Sequence, residues 1–112
     1  MEGTPAGLAQ QLLRARESDY VRLTAAWLSR AVDWHPEPET TGNPQLDALV
    51  ASAAAHRAIL EGQTPPRWTG NRKLDTYWHP GLPAMFAWSF AHTPIAFKQR
   101  GVVVESDSLG SV

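Results

Sequence analysis

The sequence predicts a small, mostly α-helical single domain with one short strand near its C-terminus. The chain has 112 residues, which is enough to bury one modest hydrophobic core. Apolar residues recur at three- and four-residue intervals in two long segments, which is the spacing of one helix face. Nine prolines lie almost entirely between the periodic segments, where they end helices rather than interrupt them. These observations divide the chain into residues 1–34, a loop at 35–43 and a helical core at 44–112.

Residues 1–34 form the first predicted helical segment. Thr4 is suited to cap its N-terminus, and Pro5 fits the first helical turn. The apolar face of this segment consists of Leu8, Leu12, Ala15, Tyr20, Leu23 and Trp27. The pattern is compatible with one amphipathic helix that runs to about Asp33, or with a second helix that restarts at Ser18-Asp19.

The helix that follows the loop at 35–43 has the clearest end signals in the sequence. Asn43 and Pro44 supply an N-cap and a first-turn proline, and Gly62 is suited to end the helix after Glu61. We expect its apolar stripe to consist of Leu46, Leu49, Val50, Ala53, Ile59 and Leu60.

Two further segments precede the C-terminal region. Residues 74–79 fit a single helical turn. Residues 82–91 are apolar on nearly all sides, which predicts a buried helix with Phe86 and Trp88 in the core.

The C-terminal region repeats the cap-and-proline signal. Thr93 and Pro94 predict the start of a short helix that Gly101 ends. Residues 102–104 are three valines, which favour a short strand. A lone strand does not satisfy its own backbone polar groups, so this one must pair with another segment.

Composition and charge exclude several classes of protein. The chain has no cysteine, which rules out disulfides, thiolate metal sites and a cysteine nucleophile. Residues 1–61 carry five arginines against eight acidic residues, whereas residues 62–112 carry five basic residues against three acidic ones. The N-terminus lacks the pattern of a secretory signal, and no apolar run is long enough to span a membrane. We therefore expect a cytoplasmic protein. If it binds an acidic partner, we expect the contact to lie in residues 62–112, which carry the excess of basic residues.

The chain has no recognisable catalytic or cofactor motif. Its four histidines, His35, His56, His79 and His92, include no pair at helical spacing, so we expect no metal site. A nucleophile elbow, a phosphate-binding loop and a dinucleotide fingerprint are all missing from the sequence. We therefore expect a protein that is not an enzyme and that uses no cofactor.

Aromatic and basic residues suggest a binding protein. Five tryptophans are many for a chain of this length, and tryptophan is common both in cores and at protein interfaces. A basic and aromatic cluster consists of Arg67, Trp68, Arg72, Lys73, Tyr77 and Trp78. This cluster is compatible with a platform that stacks on RNA bases, although a solvated loop beside core aromatics is the favoured interpretation. No helix-turn-helix with a basic recognition helix is evident, so binding to nucleic acid is possible but not favoured.

From residue 41 onward the sequence resembles the C-terminal region of actinobacterial proteins encoded beside nucleotidyltransferase toxins. The matching segments are TGNPQLDALVASAAAH (41–56), PPRWT (65–69), KLDTYW (73–78) and HTPIAFKQRGVVVESDSL (92–109). Residues 74–78 stand where the family has an LDRFW-like block, and residues 93–104 stand where it has an SPAAFRRRGIFI-like block. Gln99 replaces one arginine of the triple-basic run in the second block.

This resemblance implies an antitoxin of the mycobacterial MenA–MenT kind. Such a protein binds a cognate tRNA-modifying nucleotidyltransferase and neutralises it by covering its active site. The alternative function is a nucleic-acid-associated transcriptional regulator without enzymatic activity. That alternative relies on the cations Arg67, Arg72, Lys73, Lys98 and Arg100.

We expect the partner to contact residues 92–104, together with two aromatic residues of the preceding block. The predicted contact residues are Thr93, Pro94, Ile95, Phe97, Lys98, Arg100, Val102, Val103, Tyr77 and Trp78. Apolar anchors beside positive charge are typical of interface hot spots, and residues 102–104 can add as a strand to a partner's sheet edge. The equally open alternative is that Phe97 caps the core of this chain and that the strand pairs internally.

Overall fold

The N-terminal segment folds as two helices rather than one. The computed structural model describes residues 3–80, 86–105 and Leu109, with the backbone alone for residues 86–88. Helix α1 spans Pro5–Leu13 and helix α2 spans Tyr20–Arg30, and a 3₁₀ turn at Glu17–Asp19 lies between them. The restart at Ser18-Asp19 is therefore the alternative that the structure adopts.

Thr4 fixes the start of α1 and also joins α1 to α2. Its hydroxyl oxygen accepts a hydrogen bond from the Gly7 amide at 3.3 Å, so the predicted N-cap is confirmed. Its carbonyl oxygen accepts a hydrogen bond from the indole N–H of Trp27 at 3.0 Å. Trp27 is fully buried beside Leu8 and Leu12, and this packing holds the two helices together.

Helix α3, Pro44–Leu60, is the centre of the core. The side chain of Asn43 accepts hydrogen bonds from the amides of Gln45 and Leu46, as expected of its N-cap. Gly62 has a positive φ of 72° just beyond the end of the helix, which confirms the predicted stop. The buried residues of α3 are Leu46, Ala48, Leu49, Val50, Ala51, Ser52, Ala53, Ala54, Ala55 and Ala58. Because small side chains lie on several of its faces, α3 is covered by α1, α2 and the C-terminal elements at once.

The predicted apolar stripe of α3 is wrong at its C-terminal end. Ile59 and Leu60 are 41% and 44% exposed, although the four residues before them in the stripe are buried. Burial stops at Ala58, so the last turn of α3 extends beyond the elements that pack against the helix.

Residues 74–78 run beside residues 100–103 instead of forming the predicted helical turn. The Leu74 amide donates to the Arg100 carbonyl at 3.0 Å, and the Trp78 amide donates to the Gly101 carbonyl at 2.8 Å. A single parallel bridge joins Trp78 to Val102. The strand at 102–104 is thereby reduced to one bridge, and the helical turn is wrong because its backbone groups serve as the partner of that bridge.

A 3₁₀ turn at Arg67–Asn71 follows α3, and two short helices lie nearer the C-terminus. Helix α4 spans Phe86–Ala91, and the start of the predicted helix at 82–91 lies outside the described residues. Helix α5 spans Ile95–Lys98, and Gly101, with a φ of 82°, follows its end as predicted. Thr93 is not the cap of α5, because its hydroxyl donates to the Ser89 carbonyl at 2.6 Å.

The prediction of a mostly α-helical single domain is confirmed. The radius of gyration is 12.4 Å, close to the value of about 13 Å for a compact domain of this length. None of the described helices is both long enough and apolar enough to cross a membrane.

Candidate protein-binding surface

The predicted contact residues divide into a buried group and an accessible group. The buried group consists of Thr93, Phe97, Arg100, Val102 and Val103. Tyr77 and Ile95 are exposed, whereas Trp78, Pro94 and Lys98 are half-buried. Residues 92–104 therefore do not form one continuous contact surface, which corrects the sequence-based prediction.

Phe97 belongs to the core of this chain. Its ring is fully buried and meets the ring of His56, on α3, edge-on at 5.5 Å between centroids. Burial lowers the pKa of His56 below its ordinary value, and the nearby Arg57 cation lowers that pKa further. Phe97 thus helps to pack α5 onto α3, and its ring is not accessible to a partner.

Arg100 is also an internal residue, although the sequence predicted that it would meet an acidic partner. It is 6% exposed, and burial lowers the pKa of its guanidinium. Its Nε donates to the Thr69 carbonyl at 2.8 Å, its Nη1 donates to the Ala96 carbonyl at 2.8 Å, and its Nη2 donates to Thr69 Oγ1 at 3.1 Å. Arg100 therefore ties α5 to the 3₁₀ turn at Arg67–Asn71 and does not reach a partner.

The valines at 102 and 103 use their backbone groups within this chain. The Val102 amide donates to the Phe97 carbonyl at 3.0 Å, and the Val103 amide donates to the Trp78 carbonyl at 2.8 Å. Their side chains are fully buried. These two amides and side chains are therefore not available to the sheet of a partner in this conformation.

Three of the accessible residues, together with Phe90, form a smaller surface, which we call the Tyr77–Lys98 surface. It consists of Tyr77, Phe90, Ile95 and Lys98. The ring of Tyr77 meets that of Phe90 edge-on at 4.9 Å, and the Lys98 ammonium lies 4.7 Å from the centre of the Phe90 ring. Ile95 is 56% exposed and lies one turn before Lys98 on α5, so both side chains lie on the same face. The sequence pattern assigned Phe90 to a buried helix. No sequence pattern near Phe90 predicts its contact with Tyr77.

A depression of about 160 Å³ adjoins this surface. It is lined by Leu74, Asp75, Thr76, Tyr77, Lys98, Gln99 and Gly101. Lys98 and Asp75 supply opposite charges at its walls. The depression is large enough to receive one polar side chain of a partner beside the aromatic pair.

The basic and aromatic cluster is largely integrated into the fold. The side chain of Arg72 is 7% exposed, donates to Glu37 and to the Pro38 carbonyl, and lies 5.0 Å from the centre of the Trp68 ring. Trp68 is 6% exposed, and its indole N–H donates to the His35 carbonyl at 2.9 Å. These two residues hold the loop at 35–43 in place, so they do not stack on RNA bases in this conformation.

Most of the tryptophans whose side chains are described belong to the core. Trp27, Trp34 and Trp68 are buried. Trp78 is half-buried and meets the Tyr20 ring edge-on at 6.2 Å. The side chain of Trp88, expected in the core, lies outside the described residues. The high tryptophan content is thus mainly a property of packing.

Within the described ranges, no three or more acidic or histidine side chains are grouped closely enough to hold a metal ion. Comparison of the chain with protein-family models, with curated proteins and with solved structures finds no match.

Proposed function

We propose that this chain is an antitoxin that binds a cognate tRNA-modifying nucleotidyltransferase and neutralises it by covering its active site. Support comes from the sequence resemblance and from one structural observation. The Tyr77–Lys98 surface presents exposed apolar side chains beside an ammonium group, and it is formed mostly by the segments at 73–78 and 92–109 that carry the resemblance.

The chemistry of this surface suits the mouth of a nucleotidyltransferase site. Such an enzyme holds magnesium through carboxylates, so its empty site is acidic. Lys98 supplies the complementary charge, while Tyr77 and Ile95 supply apolar contact area next to it. A hot spot of this kind combines a desolvated anchor with a charge pair, and it requires no catalytic residue on the antitoxin.

The test is co-expression with the product of the adjacent gene, followed by size-exclusion chromatography and a toxicity assay. Lys98→Glu and Tyr77→Ala are each expected to weaken the complex by about tenfold or more, because a charge reversal or the loss of an anchor acts at the centre of the contact. Arg67→Glu is the matched control, since Arg67 is an exposed cation of the same half of the chain.

Circular dichroism establishes that each variant is folded. If the Lys98→Glu and Tyr77→Ala proteins both co-elute with the toxin at high salt and still protect cells, the contact lies elsewhere. If the wild-type protein co-elutes with no product of an adjacent gene, the antitoxin function itself is wrong.

The alternative, a nucleic-acid-associated regulator, retains only part of its predicted cationic surface. Arg67 and Lys73 are exposed and Lys98 is half-buried, whereas Arg72 and Arg100 are engaged internally. On this alternative the isolated protein binds tRNA or promoter DNA with an affinity that falls steeply with salt. Arg67→Glu then weakens that binding, so the control variant of the toxin assay also reports on the regulator hypothesis.

A further inference from the structure

A groove of about 310 Å³ lies between the outer face of α1 and residues 38–41. It is lined by Ala6, Ala9, Gln10, Leu13, Pro38, Glu39, Thr40 and Thr41. The four residues of α1 recur at three- and four-residue steps and therefore share one face of the helix. Leu13 is 54% exposed on this face, so the groove has an apolar floor open to solvent.

The other wall of the groove is formed by residues 38–41, which have no regular secondary structure and are held at both ends. The Pro38 carbonyl accepts a hydrogen bond from Arg72, and the Thr41 amide and hydroxyl donate to the Asp47 carboxylate at 2.8 and 2.9 Å. Between these ties, Glu39 and Thr40 form no hydrogen bond with any described residue through backbone or side chain. Backbone groups that have no partner within the chain are the groups with which an added peptide segment pairs.

Charge determines which occupant fits the groove. Among the described residues that line the groove, Glu39 is the only ionisable one. It is exposed and forms no ion pair with them or with any other described residue. The surrounding half of the chain, residues 1–61, has three more acidic than basic residues. A cationic side chain is therefore complementary to this wall, whereas phosphate groups and acidic peptides are repelled.

We propose that this groove binds an extended segment of a partner protein in which an arginine is flanked by apolar residues. The arginine stem lies over Ala6 and Leu13, and its guanidinium pairs with the Glu39 carboxylate in the two-bond geometry that arginine favours. The backbone of the segment pairs with the free groups of Glu39 and Thr40. The volume is at the lower end of the range of about 300–1,000 Å³ for ligand pockets, which suits one long side chain and its neighbours.

The experiment is a titration of the isotope-labelled full chain, followed by NMR, with the blocked peptide Ala-Val-Arg-Val-Ala. The matched peptide Ala-Val-Glu-Val-Ala is the control ligand. We expect the arginine peptide to shift the amide signals of Glu39, Thr40 and Leu13, and the glutamate peptide to leave them unchanged. Glu39→Lys is expected to weaken binding by about tenfold or more through loss of the ion pair, and Ala6→Leu to abolish it by filling the groove.

Glu17→Lys is the matched charge control, because Glu17 is an exposed acid outside the groove. Lys98→Glu is expected to leave the peptide affinity unchanged, because Lys98 lies outside the groove. A failure of peptide binding in the groove is therefore distinguishable from a failure of toxin binding at the Tyr77–Lys98 surface. The proposal is overturned if the Glu39 and Glu17 changes have equal effects or if both peptides bind equally. It is also overturned if the shifted signals lie outside the groove or if no signal shifts at millimolar peptide. Concentration-dependent shifts of the groove amides in the free protein also overturn it, because the occupant is then a second copy of this chain.

Discussion

A side chain in place of Gly101 is restricted by the backbone conformation and by the available space. Its φ is +82°, in the left-handed region that L-residues rarely adopt. A Cβ atom added there would lie 3.0 Å from the Cβ of Leu74 and 3.3 Å from the Leu74 carbonyl oxygen. Gly62 has a similar φ of +72°, but no described residue beyond its two chain neighbours has an atom within 4 Å of an added Cβ. A substitution of Gly62 therefore introduces conformational strain alone, whereas a substitution of Gly101 introduces strain and crowding.

We predict that Gly101→Ala lowers the free energy of unfolding more than Gly62→Ala does. The left-handed conformation costs about 1–2 kcal/mol in either variant, and crowding against Leu74 adds about 1–3 kcal/mol in the first. Urea denaturation of both variants measures the difference. Equal midpoints for the two variants would show that the segment at 74–76 moves away at no cost.

The residues that the sequence identifies correctly are those with local partners. Thr4, Asn43 and Gly62 each act on backbone groups within a few residues, so their roles follow from sequence spacing alone. Arg100 was assigned to the contact surface as a cation beside apolar anchors, whereas its acceptors on Thr69 lie 31 residues away. No spacing rule identifies such a partner.

Arg100 acts at the scale of elements because it connects α5 to the 3₁₀ turn at Arg67–Asn71. Its acceptors are two backbone carbonyls and the Thr69 hydroxyl. Removal of the guanidinium leaves these buried oxygens without this donor. The attachment of the Tyr77–Lys98 surface to the core therefore depends on a residue that does not belong to that surface.

We predict that Arg100→Ala lowers the free energy of unfolding by about 2–4 kcal/mol, because buried acceptors lose their partner and a cavity remains. Arg100→Lys keeps the charge but not the planar set of donors, so it should restore only part of the stability. Arg67→Ala is the control and should change stability by less than about 0.5 kcal/mol, since Arg67 is exposed. A chemical denaturation midpoint for Arg100→Ala equal to that of the control would contradict the structural role.

The elements that the sequence predicted incorrectly are those that depend on long-range pairing. Residues 74–79 contain enough helix-compatible residues for one turn, but the Leu74 amide and both backbone groups of Trp78 pair with residues 100–103. Thr93 matches the cap-and-proline signal, yet its hydroxyl bonds to the preceding helix at Ser89. In both cases tertiary contacts override a weak local preference.

At the scale of the whole molecule, α3 organises the fold. Helices α1, α2 and α5 and the turn at Arg67–Asn71 all contact it. The sequence predicted this helix and its ends, but a stripe on one face underestimates a helix that is covered on several sides. The alanines at 48, 51, 53–55 and 58 are the signal for that arrangement, because small residues permit close approach of several neighbours.

The same central packing makes global stability sensitive to pH. His56 lies on α3 against Phe97, and burial, together with the Arg57 cation, lowers its pKa. In the unfolded chain this imidazole takes up a proton near pH 6.5, whereas in the folded chain it does so only at a lower pH. The unfolded state therefore binds more protons in this window. The stability that depends on a neutral His56 is fully present above pH 6.5 and is lost as pH falls through the folded pKa. The pKa of Asp33 is lowered by hydrogen bonds from His35, so its contribution is lost in a separate window that begins below about pH 4.

We predict that the melting temperature falls as pH is lowered from about 7 to about 5.5 and that His56→Phe reduces this fall. Phenylalanine keeps an aromatic contact with Phe97 and removes the titration, so the variant isolates the protonation effect from packing. Differential scanning calorimetry of both proteins across this window measures the two slopes. The acid window of Asp33 begins below about pH 4, so Asp33 contributes to neither slope. A slope between pH 7 and pH 5.5 that is identical in the variant and the wild type would exclude His56 as the cause, and the α3–α5 contact would then be insensitive to its charge.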